Sequence, residues 1–346
     1  TTLEQKINIP IQKHWGNLMH PPGSVLTQKG TLSKAFTPFY KKWNQMPLAE
    51  MPAFTSPEFI RVEKLFWEKP NITSSHGLNS GSAGAKTRLD DFLSRSERYE
   101  ELRNFPGKSG TSMLSSDLHF GTIGPLEIIN RVKSDSHSQQ MFIRQLAWRD
   151  WYAHLLFATP EIIFKSANPI YEKIQWENNL LDFDLWKNGK TGYPIVDAGM
   201  RELRATGFMH NRVRMITASF LIKDLLIDWR LGEKYFRQHL IDGDIAQNVG
   251  NWQWVAGTGF DAAPYFRVFN PVLQSKKFDP AGEYIRSWVP EIGSLQNDQI
   301  HSPWTMTKND LLIHGITLGT TYPLPLVDHA EARDRSLKAY KKVREI

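Results

Sequence analysis

Five stretches of this 346-residue chain carry apolar residues at intervals of three and four, and no other feature limits the fold as strongly. They lie at 90–102, 125–132, 139–157, 195–206 and 213–227. Glycine and proline separate them, as is typical of helix ends. The spacing predicts a mainly α protein whose helical domain covers residues 87–346.

The first 86 residues have a different pattern. Residues 7–11 and 24–30 are predicted as short strands, the second with a turn, and residues 39–43 begin a helix. Because one or two strands cannot form an independent sheet, we expect residues 1–45 to be the end of something larger. Residues 46–86 contain four prolines and a Ser/Gly-rich run, which is typical of a connector.

Composition excludes several classes of protein. The chain has no cysteine, which rules out disulfides and thiolate metal ligands. No apolar run is long enough to cross a bilayer and no signal segment opens the chain, so we expect a cytoplasmic protein without a membrane partner. A net charge of +6 suggests a polyanionic partner, although many basic proteins bind none.

Residues 241–271 combine acids, amides and large aromatic side chains in a pattern that neither helix nor strand packing explains. Asp242 and Asp244 precede Asn248, and Trp252 and Trp254 follow. Such a mixture is typical of the wall of a pocket for a flat aromatic ligand with polar edges.

A second polar face lies on the predicted helix 139–157. Helical spacing places four side chains together: Gln145, Trp148, Arg149 and Tyr152. An amide, an indole, a guanidinium and a phenol make a poor core stripe. The face is either a pocket wall or a partly exposed polar surface.

Two apparent motifs carry no function. Gly189-Lys190-Thr191 lacks the upstream glycine of a phosphate-binding loop, because Asp184 stands at that position. His210 has no second ligand at metal-binding spacing, so we interpret it as structural or as a hydrogen bonder in a pocket wall. We predict no metal site.

Taken together, residues 190–236, 241–271 and 327–340 closely resemble the flavin-binding core of DNA photolyases and cryptochromes, and the class I cyclobutane pyrimidine dimer photolyases most of all. The resemblance implies an all-helical FAD-binding domain over 87–346. It also implies that residues 1–45 are the C-terminal remnant of an α/β, Rossmann-like antenna domain, with 46–86 as interdomain connector. Most of that antenna domain is expected to be absent, so the antenna chromophore cannot be identified.

The resemblance assigns three groups of residues. The implied FAD contacts are Tyr99, Thr111, Ser112, Met113, Leu114, Ser115, Gln145, Arg149, Asn211, Arg214, Asp242, Asp244 and Asn248. The implied contacts to damaged DNA are Gln145, Trp148, Met215, Trp254, Arg103, Arg212 and Arg267. The implied electron-transfer triad is Trp252, Trp229 and Trp176, and we favour this interpretation over ordinary core packing because all three positions are filled.

The implied activity is that of a deoxyribodipyrimidine photo-lyase, a carbon–carbon lyase. Excited reduced FAD would split cyclobutane pyrimidine dimers in DNA by electron transfer, and we expect the enzyme to be a monomer. Gln145 departs from the family pattern, because dimer-specific members carry Glu there. The alternative is a cryptochrome-like blue-light photoreceptor that binds FAD without repair. Asn211 and Met215, where (6-4) photolyases and animal cryptochromes carry His, favour cyclobutane dimers.

Overall fold

A computed structural model describes residues 6, 10–11, 15–50, 79–132 and 136–345. The longer helices in these ranges are α1 Phe36–Trp43, α2 Gly81–Leu93, α3 Tyr99–Leu102, α4 Ser115–Phe120, α5 Pro125–Arg131, α6 His137–Ala158, α7 Leu180–Lys187, α8 Pro194–Thr206, α9 Asn211–Ser219, α10 Trp229–His239, α11 Ile245–Ala256, α12 Pro271–Phe278, α13 Glu283–Trp288, α14 Lys308–Ile313 and α15 His329–Arg344. Short 3₁₀ turns lie at Ser96–Arg98, Pro160–Ile163, Pro169–Lys173, Pro290–Ile292 and Pro303–Thr305, and a π-helical turn at Phe220–Asp224. The mainly α fold predicted from the spacing is confirmed.

Extended structure is confined to isolated bridges in the described part of the chain. The predicted strand and turn at 24–30 is a single antiparallel bridge between Leu26 and Leu32. The predicted strand at 7–11 falls mostly outside the described residues. The assignment of residues 1–45 to an antenna-domain remnant therefore stays a prediction.

The single helix predicted over 90–102 is wrong. Helix α2 ends at Leu93, and a 3₁₀ turn precedes α3. The serines at the break bond back to the chain, with Ser94 Oγ donating to Asp91 O at 2.7 Å and Ser96 Oγ donating to Leu93 O at 3.0 Å. These side chains compete with backbone amides for the helical carbonyls and so favour a break.

Two other boundaries differ from the prediction. Helix α2 starts inside the predicted connector, because Ala85, Leu89 and Phe92 form a buried face at helical spacing. The helix predicted over 213–227 is α-helical only to Ser219 and continues as the π-helical turn Phe220–Asp224; Leu226, with a φ of +49°, excludes helix beyond that turn. The connector's residues 51–78 lie outside the described ranges.

The core that positions the site is formed by α8, α9, α10 and α11. Helix α9 packs against α8 and α11, and α11 packs against α10. The long helix α6 contacts α1, α3 and α11, so it connects the N-terminal segment to this core. Within the described residues, no helix combines the length and apolarity needed to cross a membrane.

Asp150 fastens the N-terminal segment to α6. Its Oδ2 accepts hydrogen bonds from Met19 N at 3.0 Å, His20 N at 3.2 Å and Trp43 Nε1 at 2.9 Å. Burial raises the pKa of this carboxyl to about 6, and the three donors oppose that rise. Helix α1 is thus tied to α6 through one buried oxygen.

Replacing Asp150 by Ala is expected to lower the free energy of unfolding by roughly 2–4 kcal/mol, because buried donors lose their acceptor. Asp150→Asn, whose amide oxygen replaces Oδ2, should retain most of that stability. Since the folded-state pKa is raised, the folded protein binds the extra proton, and the Asp150 contribution falls as the pH rises from about 4 to about 6. Denaturant titrations across this range measure the free energy of unfolding of the parent and of Asp150→Asn. The difference between the two should decrease as the pH rises, and a difference that does not change with pH would contradict the prediction.

Candidate functional site

A continuous cleft runs between α6, α9 and α11. It consists of a slot of about 510 Å³, a chamber of about 1060 Å³ and a pocket of about 940 Å³. Asn211, Gln247 and Asn251 line all three parts, which makes them neighbouring compartments of one site.

The cleft brings together every predicted site residue except Trp229, Trp176 and Arg267. The slot and chamber are lined by Tyr99, Thr111, Ser112, Met113, Leu114, Ser115, Arg214, Asp242, Asp244, Asn248 and Trp252. The pocket is lined by Arg103, Gln145, Trp148, Arg149, Arg212, Met215 and Trp254. Arg267 lies exposed on the loop between α11 and α12.

An ion pair joins α9 to the segment before α11 beside the slot. Arg214 Nη2 donates to Asp242 Oδ2 at 2.9 Å, and Arg214 Nε donates to Met209 O at 2.7 Å. Burial acts to raise the pKa of Asp242, but the Arg214 charge and hydrogen bond outweigh it and lower the pKa. The slot therefore has an ionised carboxylate at neutral pH together with a fixed cation.

Asn248 presents an acceptor to the slot. Its Nδ2 donates to Glu233 O at 2.9 Å and to Glu233 Oε1 at 3.0 Å. With both amide hydrogens used, the carbonyl oxygen is the group left for a ligand. Burial raises the pKa of Glu233, so a proton is held more readily beside Asn248 than on an exposed glutamate.

The chamber combines small hydroxyl side chains with a buried phenol. Thr111, Ser112 and Ser115 lie on one side, at the turn that leads into α4. Met113 in this turn has a φ of +55°, so the backbone reverses there. Hydroxyls and backbone N–H groups in a tight turn suit the phosphate and polyol parts of a nucleotide.

Both polar ends of Gln145 have protein partners. Its Oε1 accepts from Arg103 Nη2 at 3.2 Å, and its Nε2 donates to Met141 O at 3.1 Å. Arg103 Nη1 and Arg212 Nε are buried N–H groups without a protein acceptor. The unsatisfied donors of the pocket are thus guanidinium groups, which suit carbonyl or phosphate oxygens.

Arg149 has less freedom than the prediction of a flavin contact assumed. Its Nη1 donates to Asn17 O, and its Nη2 donates to Leu118 O at 3.0 Å. Burial lowers its pKa, and nearby Asp244 opposes that change. Arg149 lines the cleft while connecting the N-terminal segment to the end of α4.

The three predicted triad tryptophans differ in their exposure to solvent. Trp252 lines the slot and packs on Gly232, where an added Cβ would lie 2.2 Å from the indole. Trp229 lies on α10, one turn before Gly232 and on the same face. It is fully buried, and its indole N–H lacks a partner. Trp176 is partly buried against the same core cluster.

Sequence reasoning missed several lining residues. Gln247 and Asn251 share a helical face with Asp244 and Asn248, so the periodicity of α11 contained the signal. Glu233 and Phe236 gave no local signal, because their relation to the slot depends on how α10 packs on α11. His210, predicted to be structural or a hydrogen bonder, caps α9: its Nδ1 accepts from Arg212 N at 3.1 Å.

Two protein families match the sequence. The FAD binding domain of DNA photolyase matches residues 142–342, and the family described as DNA photolyase matches residues 1–58. A deoxyribodipyrimidine photo-lyase of Agrobacterium fabrum is 42% identical over 99% of this chain and 76% of that protein. One from Escherichia coli is 41% identical over 94% of this chain and 71% of that protein.

Solved structures agree with these matches. A bacterial class III photolyase from Agrobacterium tumefaciens superposes with a TM-score of 0.87 at 42% identity, covering 96% of this chain and 73% of that one. A Synechocystis cryptochrome superposes with a TM-score of 0.82 at 33% identity, covering 94% of this chain and 72% of that one. Both similarities span the helices that build the cleft.

Replacing Asp242 by Asn should weaken FAD binding by roughly 10- to 100-fold, because one charge-assisted hydrogen bond and the fixed orientation of Arg214 are lost. Flavin absorbance retained after gel filtration measures the effect. Asp184→Asn is the matched control, since it breaks a 2.5 Å ion pair with Lys187 on α7, outside the cleft. Equal flavin retention in parent and Asp242→Asn would contradict the assignment.

Proposed function

The chain belongs to the DNA photolyase family, residues 142–342 being its FAD-binding domain, and on this premise we propose that it repairs cyclobutane pyrimidine dimers in DNA under blue light. The observation that carries the proposal is the continuity of the slot with the pocket lined by Trp148 and Trp254. A flat cofactor in the slot and a flipped pyrimidine dimer in the pocket would then be neighbours. The class I assignment, the monomeric state and the cytoplasmic location stay predictions.

The residues of the cleft fit FAD. Arg214, Asp242 and Asn248 would surround the isoalloxazine ring, and the hydroxyl turn 111–115 would hold the phosphates and ribityl chain. The opposed charges of Arg214 and Asp242 at the ring edge would favour an anionic reduced form. Bound FAD supplies light absorption and the electron; the protein supplies orientation and an enclosed aromatic cavity.

Lesion binding would use the aromatic walls and the guanidinium groups of the pocket. Trp148 and Trp254 offer apolar faces to a pyrimidine dimer, which pairs poorly and so is flipped out of the helix more readily than a normal base pair. Arg103 and Arg212 would neutralise phosphate or carbonyl oxygen, which gives affinity that depends on salt more than on sequence. Arg267, exposed outside the cleft, fits a backbone phosphate contact.

Gln145 would act through Arg103. Since its oxygen accepts from Arg103 and its nitrogen bonds Met141 O, Gln145 holds the guanidinium at the pocket instead of offering a proton itself. A permanent cation keeps its charge at every physiological pH. It would stabilise negative charge on the pyrimidine carbonyls without proton transfer.

Photoreduction would use Trp252, Trp229 and Trp176. Trp252 packs on Gly232, and Trp229 lies one turn before Gly232 on the same face of α10, which supports electron transfer between these two indoles. The exposure of Trp176 places its indole within reach of solvent reductants. Trp229 has no acceptor for its N–H, so it would pass charge on without losing a proton.

A cryptochrome-like photoreceptor is the second candidate. It is favoured by Gln145 in place of Glu and by the similarity to the Synechocystis cryptochrome. The photoreceptor would bind FAD in the same cleft without splitting dimers.

The direct test uses FAD-loaded, photoreduced protein and an oligonucleotide with one thymine cyclobutane dimer. Blue light should restore thymine absorbance with catalytic turnover, while the dark control stays unchanged. Flavin that photoreduces normally without any dimer splitting would reject the repair proposal and favour the photoreceptor.

Gln145→Glu should make repair depend on pH. The new carboxylate would pair with Arg103, lower its effective charge and repel the reduced dimer when ionised. Repair yield per absorbed photon should therefore fall as the pH rises through the carboxyl pKa, while the parent yield stays flat. Parallel pH profiles for both proteins would argue against the role given to Arg103.

Trp252→Phe should abolish most flavin photoreduction without loss of bound FAD. Phe cannot be oxidised by the excited flavin, whereas its ring still fills the space against Gly232. Trp304→Phe, which removes an indole that packs edge-on against Tyr193, is the control. Photoreduction under blue light with an external thiol should persist in the control; its persistence in Trp252→Phe would exclude this tryptophan as first donor.

A further inference from the structure

Trp148 is held by a residue of the N-terminal segment. The rings of Phe36 and Trp148 lie 3.7 Å apart between centroids and 10° from parallel. Phe36 is 1% exposed, and the Arg144 guanidinium lies over its ring at 5.3 Å. One face of the Trp148 indole is thus covered by a side chain that cannot move away without opening the core.

Helix α1 is also tied to the loop that follows Trp254. The Phe36 backbone N–H donates to Asp261 Oδ2 at 2.9 Å, so a distant carboxylate takes the place of a helix cap. The loop closes back on α11, with Ala263 N donating to Trp254 O at 3.2 Å. Asp261 has a φ of +45°, a conformation that Asp and Asn tolerate better than most residues.

These contacts converge on the first turn of α1. The Phe36 ring contacts Trp148 on one wall of the pocket. Its backbone N–H bonds Asp261, in the loop that follows Trp254 on the other wall. Trp148 and Trp254 both line that pocket. Holding the Trp148 indole and the Trp254 backbone in place before binding removes ordering that a substrate would otherwise have to impose.

We propose that Phe36 is a positioning residue for the lesion pocket, which aligns Trp148 by stacking and restrains Trp254 through Asp261. The proposal rests on the proposed function, in that a pyrimidine dimer with apolar ring faces is the ligand that two indoles would recognise. Phe36 touches no substrate itself. Its loss should therefore reduce discrimination of damaged from undamaged DNA and leave phosphate-driven affinity unchanged.

The test compares Phe36→Leu with Phe39→Leu in FAD-loaded protein. Phe39 lies on the same helix with the same 1% exposure, but it packs edge-on against His154 at 5.2 Å and not on Trp148. Binding of duplexes with and without one thymine dimer is measured by fluorescence anisotropy. Phe36→Leu should lose about 10-fold in the ratio of the two affinities, the value of one preorganised aromatic contact. Phe39→Leu should keep the parental ratio.

Asp261 provides a second pair of variants. Asp261→Gly removes the carboxylate while accepting the positive φ, and Asp261→Asn keeps an acceptor oxygen. Discrimination should fall in Asp261→Gly and recover in Asp261→Asn. Equal discrimination in both would overturn the link through Asp261.

A spectroscopic readout separates failure of this proposal from failure of the proposed function. In protein labelled with 5-fluorotryptophan, the Trp148 resonance, assigned with Trp148→Phe, should shift and broaden in Phe36→Leu but not in Phe39→Leu. A parent that does not discriminate damaged DNA would reject the proposed function, and the Trp148 resonance would still decide the role of Phe36. An unchanged Trp148 resonance, or an equal change in the Phe39 control, would overturn the positioning proposal.

Discussion

The close packing of α11 against α10 and α6 is the constraint on which the cleft depends. Gly232 on α10 leaves room for the Trp252 indole, and Gly250 on α11 leaves room for the Tyr152 ring, which would lie 2.2 Å from an added Cβ. These two contacts fix α11 against its neighbours, with Val249 and Gln253 buried in the core. Asp244, Gln247, Asn248 and Asn251 lie on the cleft face.

Some polar groups of the cleft have protein partners, and others have none and can bind a ligand. Asp242 forms an ion pair with Arg214, and Asn248 donates a hydrogen bond to Glu233. Burying these groups is tolerable because each has a partner. Among the buried atoms without a protein partner, Arg103 Nη1 and Arg212 Nε lie at the pocket end, whereas His210 Nε2 lies at the chamber and Asp242 Oδ1 at the slot. The unpaired cationic donors are therefore where an anionic substrate would bind.

The helical class was predictable from helical spacing, whereas most cleft residues were assigned through the resemblance to photolyases and only a few through local patterns. The face Gln145, Trp148, Arg149 and Tyr152 follows from periodicity alone. The break before α3 was not predictable from periodicity, since Ser94 and Ser96 end the helix through side-chain bonds that an apolar pattern does not record.

Tertiary contacts account for what the sequence did not reveal. Phe36 and Asp261 are 225 positions apart, and no local pattern relates them. The same holds for Glu233 beside Asn248, and for the two backbone carbonyls that bind Arg149. Roles that depend on long-range packing required the folded chain.

The claim that one cleft places flavin and lesion in contact is tested most directly by the emission lifetime of the bound reduced flavin. It would be recorded with saturating dimer-containing duplex and with undamaged duplex of the same sequence. Contact predicts a shortened lifetime with the damaged duplex only, because the dimer then accepts the excited electron. Tight binding of damaged DNA with an unchanged lifetime would contradict the account.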